Sequence, residues 1–337
     1  MYKQELTIIV QSIIASNTAD QYAAAAKTLS DFYKKINSIT FSQDNETAVK
    51  GGIALSSLGA ADCVDDYLRT VFFIKGIYKA LTQLCHDFPD RCINVLYAGC
   101  GPYATLMLPL LPLFNKERIN AVLIDINAIS IASVQQLVNL IGLDEYQIQL
   151  LEADAITYTS PENFRIDLAV SETMDYALTK EPQVGIVQNI AAQLPAHGIL
   201  IPKEIRVDLM YTFFDQEPYL KNAVTEVEGY KTLQPYPHSV FVNRLFTINK
   251  ELFSKSTPVY KFESDFYKLP DNFSNHPDVC VFTEIKIFDD VELKTAESYI
   301  TNPYCVVSLY SLINNSALQL VYDFSAIPKW SYNVKNE

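Results

Sequence analysis

The chain has 337 residues, 49% of them hydrophobic and 19% charged, which is the composition of a folded globular protein long enough for two domains. Its net charge of −13 argues against wrapping nucleic acid, which needs a basic face. The same acidity serves solubility and, through its long-range field, favours a cationic substrate. None of the six cysteines forms a CxxC pair and only four histidines exist to help them, so no metal site is expected. They read as buried thiols of a reducing, cytoplasmic compartment. No signal peptide is expected at the N-terminus. The longest apolar run, Ala98 to Phe114, is interrupted by Pro102, Pro109 and Pro112 and reads as a turn and a buried helix, not a membrane span.

In chain order, residues 1–90 read as helical. Apolar residues recur at helical spacing from Leu6 to Ile14, an alanine-rich segment follows from Tyr22, and Gly51-Gly52 marks a loop. A further helix is predicted from Ala60 to Leu84. Residues 91–202 alternate short apolar runs with helical stretches. Val95-Leu96-Tyr97-Ala98, Ile119 to Ile124, Ile148 to Leu151 and Ile166 to Val170 are the strands, with helices such as Ser133 to Ile141 and Val184 to Leu194 between or after them. That alternation predicts an α/β fold with a Rossmann-like, doubly wound parallel sheet. From residue 203 to 337, tyrosine, phenylalanine and valine alternate with polar residues in short runs, as in Arg206 to Tyr211, Val279 to Phe288 and Tyr304 to Ile313. These predict an antiparallel β-barrel or sandwich.

Three features of the middle region carry chemistry. Gly99 and Gly101 form a turn after the first strand that lets backbone approach a ligand. No third glycine follows at the dinucleotide spacing; Pro102-Tyr103-Ala104 stands there, which disfavours NAD and leaves the related turn of S-adenosylmethionine (SAM) enzymes. Asp125 ends the second strand, where a carboxylate accepts both ribose hydroxyls or, alternatively, caps the next helix. Ala153 and Asp154 follow the third strand, where Asp154 is placed either for an adenine amino group or for a surface turn. After the fourth strand, Glu172 and Glu181 stand nine residues apart. Two carboxylates can grip the planar donor fork of a guanidinium, orient one nitrogen and hold its charge on the others. Two solvated loop glutamates are the bland alternative. Trp330, the one tryptophan, reads as packing.

These residues together resemble the protein arginine methyltransferases and their small-molecule relatives. The match lies in Asp66-Tyr67-Leu68-Arg69-Thr70, the glycine turn, the acidic end of the second strand, and Ser171-Glu172-Thr173-Met174-Asp175-Tyr176 followed by Glu181. The resemblance implies that Arg69 holds the SAM carboxylate, Asp125 the ribose and Asp154 the adenine. It further implies that Glu172 and Glu181 hold the guanidinium, that Met174 shapes access, and that a homodimer pairs through an arm within residues 219–236. There are departures. Tyr97 replaces an acidic residue, Tyr103 a glycine, and the aromatic pair ahead of the Asp-x-x-Arg-Thr segment is missing. Thr301-Asn302-Pro303 is the nearest counterpart of the family's Thr-His-Trp loop. The departures cluster on the substrate side and point to free arginine or a small guanidine as acceptor. A protein or peptide arginine, and a catalytically silent SAM-fold binding module, are the alternatives.

Overall fold

The computed structural model describes residues 1–43, 46–214, 239–253 and 258–336. Helices α1 (Tyr2–Ala15) and α2 (Ala19–Ile36) open the chain, and their buried faces carry Leu6, Ile9, Val10 and Ile13, then Leu29, Phe32, Tyr33 and Ile36. That spacing gives each an apolar stripe to set against the rest of the fold. The N-terminal region is not wholly helical. Strands β1 (Thr47–Val49) and β2 (Gly52–Ala54) pair as an antiparallel hairpin where the sequence predicts a loop. The helix predicted from Ala60 to Leu84 is also divided. A short α3 (Ser57–Asp62) and a 3₁₀ turn (Cys63–Asp65) precede α4 (Tyr67–Asp87). The division comes from Asp66, whose extended backbone and side chain cap α4 by accepting from the Arg69 N–H.

The parallel sheet is made of β3 (Ile93–Ala98), β4 (Ile119–Asp125), β5 (Gln147–Glu152), β6 (Leu168–Ser171) and β7 (Ile199–Ile201). Its order is β5-β4-β3-β6-β7, all neighbours parallel. The order reverses after β5, so the carboxyl ends of β3 and β6 open onto the crevice where such sheets take ligands. Helix α5 (Ala128–Ile141) follows β4, capped by the Asn127 side chain, and α6 (Gln183–Ala191) follows the loop after β6. The long apolar run after β3 contains a buried 3₁₀ helix (Leu108–Leu113). At the opposite pole, just before β6, buried Asp167 accepts from Arg91 at 2.6 and 2.7 Å and from the Asn94 N–H at 2.9 Å, and lies 2.9 Å from His197.

The C-terminal region is antiparallel, as expected. Strands β8 (Glu204–Thr212), β9 (Val240–Asn249), β12 (Asp278–Phe288), β13 (Val291–Leu293) and β14 (Tyr304–Ser308) form one sheet. Strands β10 (Lys261–Glu263), β11 (Tyr267–Lys268), β15 (Asn315–Asp323) and β16 (Lys329–Asn336) form a second, and strand pairing among the described residues leaves the two separate. A one-turn helix, α7 (Lys250–Phe253), follows β9. Helix α4 touches both the parallel sheet and β12–β13, so one apolar helix serves two sheets. The contact is close at Gly76, where a Cβ would run into the Ile287 side chain. The proposed pairing arm at 219–236 lies outside the described residues.

Candidate active site

The site is a cavity of about 380 Å³ at the carboxyl ends of β3, β4, β5 and β6. All nine residues singled out from the sequence line it: Arg69, Gly99, Gly101, Asp125, Ala153, Asp154, Glu172, Met174 and Glu181. One wall is built from strand ends. Gly99 adopts φ 73, and a side chain there would strike the Thr173 methyl, so the turn requires glycine twice over. Asp125 Oδ2 accepts from the Gly101 N–H and Oδ1 from the Asn127 N–H, both at 2.8 Å. Burial pushes the Asp125 carboxyl up, and those two N–H groups oppose the shift. Asp154 Oδ1 accepts from the Ile156 N–H at 2.9 Å. Tyr103, standing where a third glycine is usual, stacks on Tyr33 of α2 with centroids 4.9 Å apart and nearly parallel rings. The substitution therefore ties the glycine turn to the N-terminal helices.

The other wall is the loop after β6. Glu172 is 5% exposed and forms an ion pair with the Arg69 guanidinium. Arg69 also donates to the Cys63 carbonyl at 2.8 Å, and its Nε is buried without a hydrogen-bond partner. Met174 is buried and lines the same cavity. Glu181, 9% exposed, has its pKa raised to about 8. Burial is the main cause and the nearby Asp175 carboxylate adds to it, while Arg69 and Lys180 pull the other way. A carboxyl held near neutrality in a cleft is where acid–base chemistry concentrates.

Several residues that sequence reasoning passed over build this wall. Gln183 at the start of α6 accepts from the Thr173 N–H at 2.9 Å and from its hydroxyl at 2.8 Å, and donates to the Ser171 carbonyl. Its only signal was position, two residues after Glu181. Asp66 accepts from the Ser298 hydroxyl at 2.6 Å and the Tyr299 N–H at 3.0 Å, holding a turn of the antiparallel region at the pocket mouth. The expected counterpart at Thr301-Asn302-Pro303 begins within that same turn. Thr301 is fully buried and closes a capping box with Ser298, whereas Tyr299 and Ile300 are the residues that line the pocket. Tyr299 sits edge-on to Tyr176 at 5.5 Å. Trp330 does more than pack. Its indole N–H donates to the Ala177 carbonyl at 2.9 Å, and the Tyr322 hydroxyl donates to the Leu178 carbonyl at 2.7 Å.

A parallel Rossmann-like sheet followed by an antiparallel β region, with a site at the sheet's carboxyl edge, is a fold of the protein arginine methyltransferase kind. One solved structure that shares it is the Trypanosoma brucei PRMT1 enzyme–prozyme heterotetrameric complex with AdoHcy, with a TM-score of 0.51, 11% identity, and coverage of 82% of this chain and 97% of that one. Arabidopsis thaliana protein arginine methyltransferase 10, captured in a uniquely open conformation, overlaps at a TM-score of 0.49 and 12% identity over 81% of this chain and 96% of its own. No protein-family model matches the chain, and no curated protein matches it. At these identities the likeness is one of fold.

Proposed function

We propose that the chain is a SAM-dependent N-methyltransferase acting on an arginine guanidinium, that of free L-arginine or a small guanidine. The observation that carries this is the Arg69–Glu172 pair: a guanidinium already rests on the first of the two glutamates, with the second glutamate lining the same cavity. A carboxylate site that takes one guanidinium has the charge and planarity to take another.

The residues present fit the cofactor. Arg69 keeps a buried, unpartnered Nε, a donor suited to the cofactor's carboxylate. Asp125 and Asp154 accept hydrogen bonds from backbone N–H groups and retain lone pairs for ribose hydroxyls and an adenine amino group. Gly99 and Gly101 leave the turn open to close approach. When bound, the cofactor supplies an electrophilic methyl group. Glu172 and Glu181 then grip the acceptor guanidinium, orient one nitrogen and keep positive charge on the other two. Glu181, ionised, or a water takes the proton that nitrogen sheds.

A small acceptor is favoured by the β1–β2 hairpin, whose Val49 and Ala54 line the pocket. The β1–β2 hairpin reaches the glutamate loop through the Ile53 N–H, which donates to the Lys180 carbonyl at 2.8 Å, and Lys180 pairs with Glu46 at 2.8 Å. The reading carries with it a helical region (1–90), a cofactor domain (91–202) and a substrate and dimerisation domain (203–337), in a cytoplasmic homodimer. The test incubates the full chain with SAM and either free arginine or an Arg-Gly-rich peptide, followed by mass spectrometry of the products. Methylated arginine with an unmodified peptide is expected. Methylation of the peptide alone replaces the small-acceptor reading with the peptide one. No product from either, with no heat of SAM binding by calorimetry, leaves a silent module.

A further inference from the structure

The segment between the two glutamates has an unusual backbone. Ala177, Leu178 and Lys180 adopt φ of 52, 59 and 61, the left-handed region that residues with a Cβ avoid. Each such residue is strained and persists only where its surroundings hold it. The loop's own sequence does not hold it, since none of the three is glycine or asparagine. Each of the three carbonyls is instead taken by a donor from outside the loop: Ala177 by the Trp330 indole, Leu178 by the Tyr322 hydroxyl, Lys180 by the Ile53 N–H. Glu181 then leaves a tight turn in which its N–H donates to the Thr179 carbonyl at 2.6 Å.

Two of these donors form a unit. Tyr322 on β15 and Trp330 on β16 are directly paired across the strands, with ring centroids 4.9 Å apart. The Tyr322 ring is fully buried, and Phe246 packs on both. Side chains this confined bring their N–H and O–H to fixed points, which side chains on a mobile surface do not. The two donors meet consecutive carbonyls, three and four residues before Glu181.

We infer that Tyr322 and Trp330 are positioning residues: together they clamp the left-handed loop and so aim the Glu181 carboxyl into the pocket. The inference rests on the methyltransferase reading for its kinetic consequences, but the clamp itself can be measured without them. Glu181 faces Asp175, Arg69, Lys180, Glu46, Cys63 and Tyr299, so loss of the clamp changes the surroundings of its carboxyl as well as its place.

The test compares Tyr322→Phe and Trp330→Phe with the wild-type full chain by three readouts: kcat and cofactor affinity, the pH midpoint of kcat/KM, and backbone amide exchange across residues 176–182 and across β3. The expected result is kcat lowered about tenfold with cofactor affinity unchanged. The pH midpoint should fall towards the ordinary carboxylate range, and amide exchange should quicken in the loop but not in β3. Tyr322→Phe removes one oxygen from a ring that stays packed, so it decides the matter if Trp330→Phe fails to fold. Wild-type exchange in the loop together with wild-type kcat in Tyr322→Phe overturns the clamp. If the wild-type chain methylates no guanidine, the functional reading falls, and the exchange comparison alone upholds or overturns the clamp.

Discussion

On the strand-end side of the pocket, Asp125 takes its hydrogen bonds from Gly101 and Asn127, and Asp154 from Ile156, all within the parallel sheet and its strand-end turns. On the glutamate side, the loop carbonyls are held by Ile53, Tyr322 and Trp330, the last two more than 140 residues away in sequence. The first wall follows from β–turn–α geometry and forms as the sheet forms. The second exists only once the antiparallel region has docked. A half made locally and a half made by tertiary contact should respond differently to mutation.

The largest contrast is expected from Glu172→Gln and Glu181→Gln. Each should lower kcat by about 10²-fold or more, the scale seen when one charge-stabilising group is removed from a site, with SAM affinity by calorimetry close to wild type. Turnover at the wild-type rate in both would remove the chemical role of the glutamate wall. Next comes Asp125→Ala on the other wall. It should weaken SAM binding by about 10- to 100-fold, from the loss of charge-assisted hydrogen bonds worth roughly 1.5–3 kcal/mol, and leave kcat at saturating SAM much less affected. A large fall in kcat with unchanged SAM affinity would show that the two walls are not separable.

The smallest effect is on stability and sharpens the comparison through pH. Glu181 has its pKa raised from 4.5 to about 8. The protonated form is the one the folded chain favours, so its contribution is fully present below the unfolded value and is lost as pH rises through about 8. Glu181→Gln preserves the neutral state and should raise the melting midpoint at pH 8 relative to pH 5, by an amount on the order of 1–3 kcal/mol in stability. Gripping a guanidinium needs the ionised form, so kcat/KM of the wild-type chain should climb about tenfold per pH unit below 8 and level off above it. A flat profile from pH 6 to 9 would mean that Glu181 is not the titrating group.

The sequence made one wall far more legible than the other. Apolar runs located β3, β4 and β6, and at or just after the end of each stands a pocket-lining residue: Gly99, Asp125 and Glu172. The nine-residue spacing placed both carboxylates on one pocket because β6 delivers the first and a compact loop returns the second. The loop's path was not readable, since Ala177, Leu178 and Lys180 are ordinary residues whose left-handed backbone is imposed by distant donors. The β1–β2 hairpin escaped notice because three-residue strands are too short to show alternation. Trp330 read as packing because its hydrogen-bond acceptor is a main-chain carbonyl, which any residue type supplies.

The clamp also gives the chain an optical gauge. Trp330 is the single indole among 337 residues, so its emission reports one place in the chain, where it meets the Ala177 carbonyl, Tyr322 and Phe246. Titrating cofactor or acceptor while watching that signal would follow the closing and loosening of the loop in real time, in the unlabelled wild-type protein.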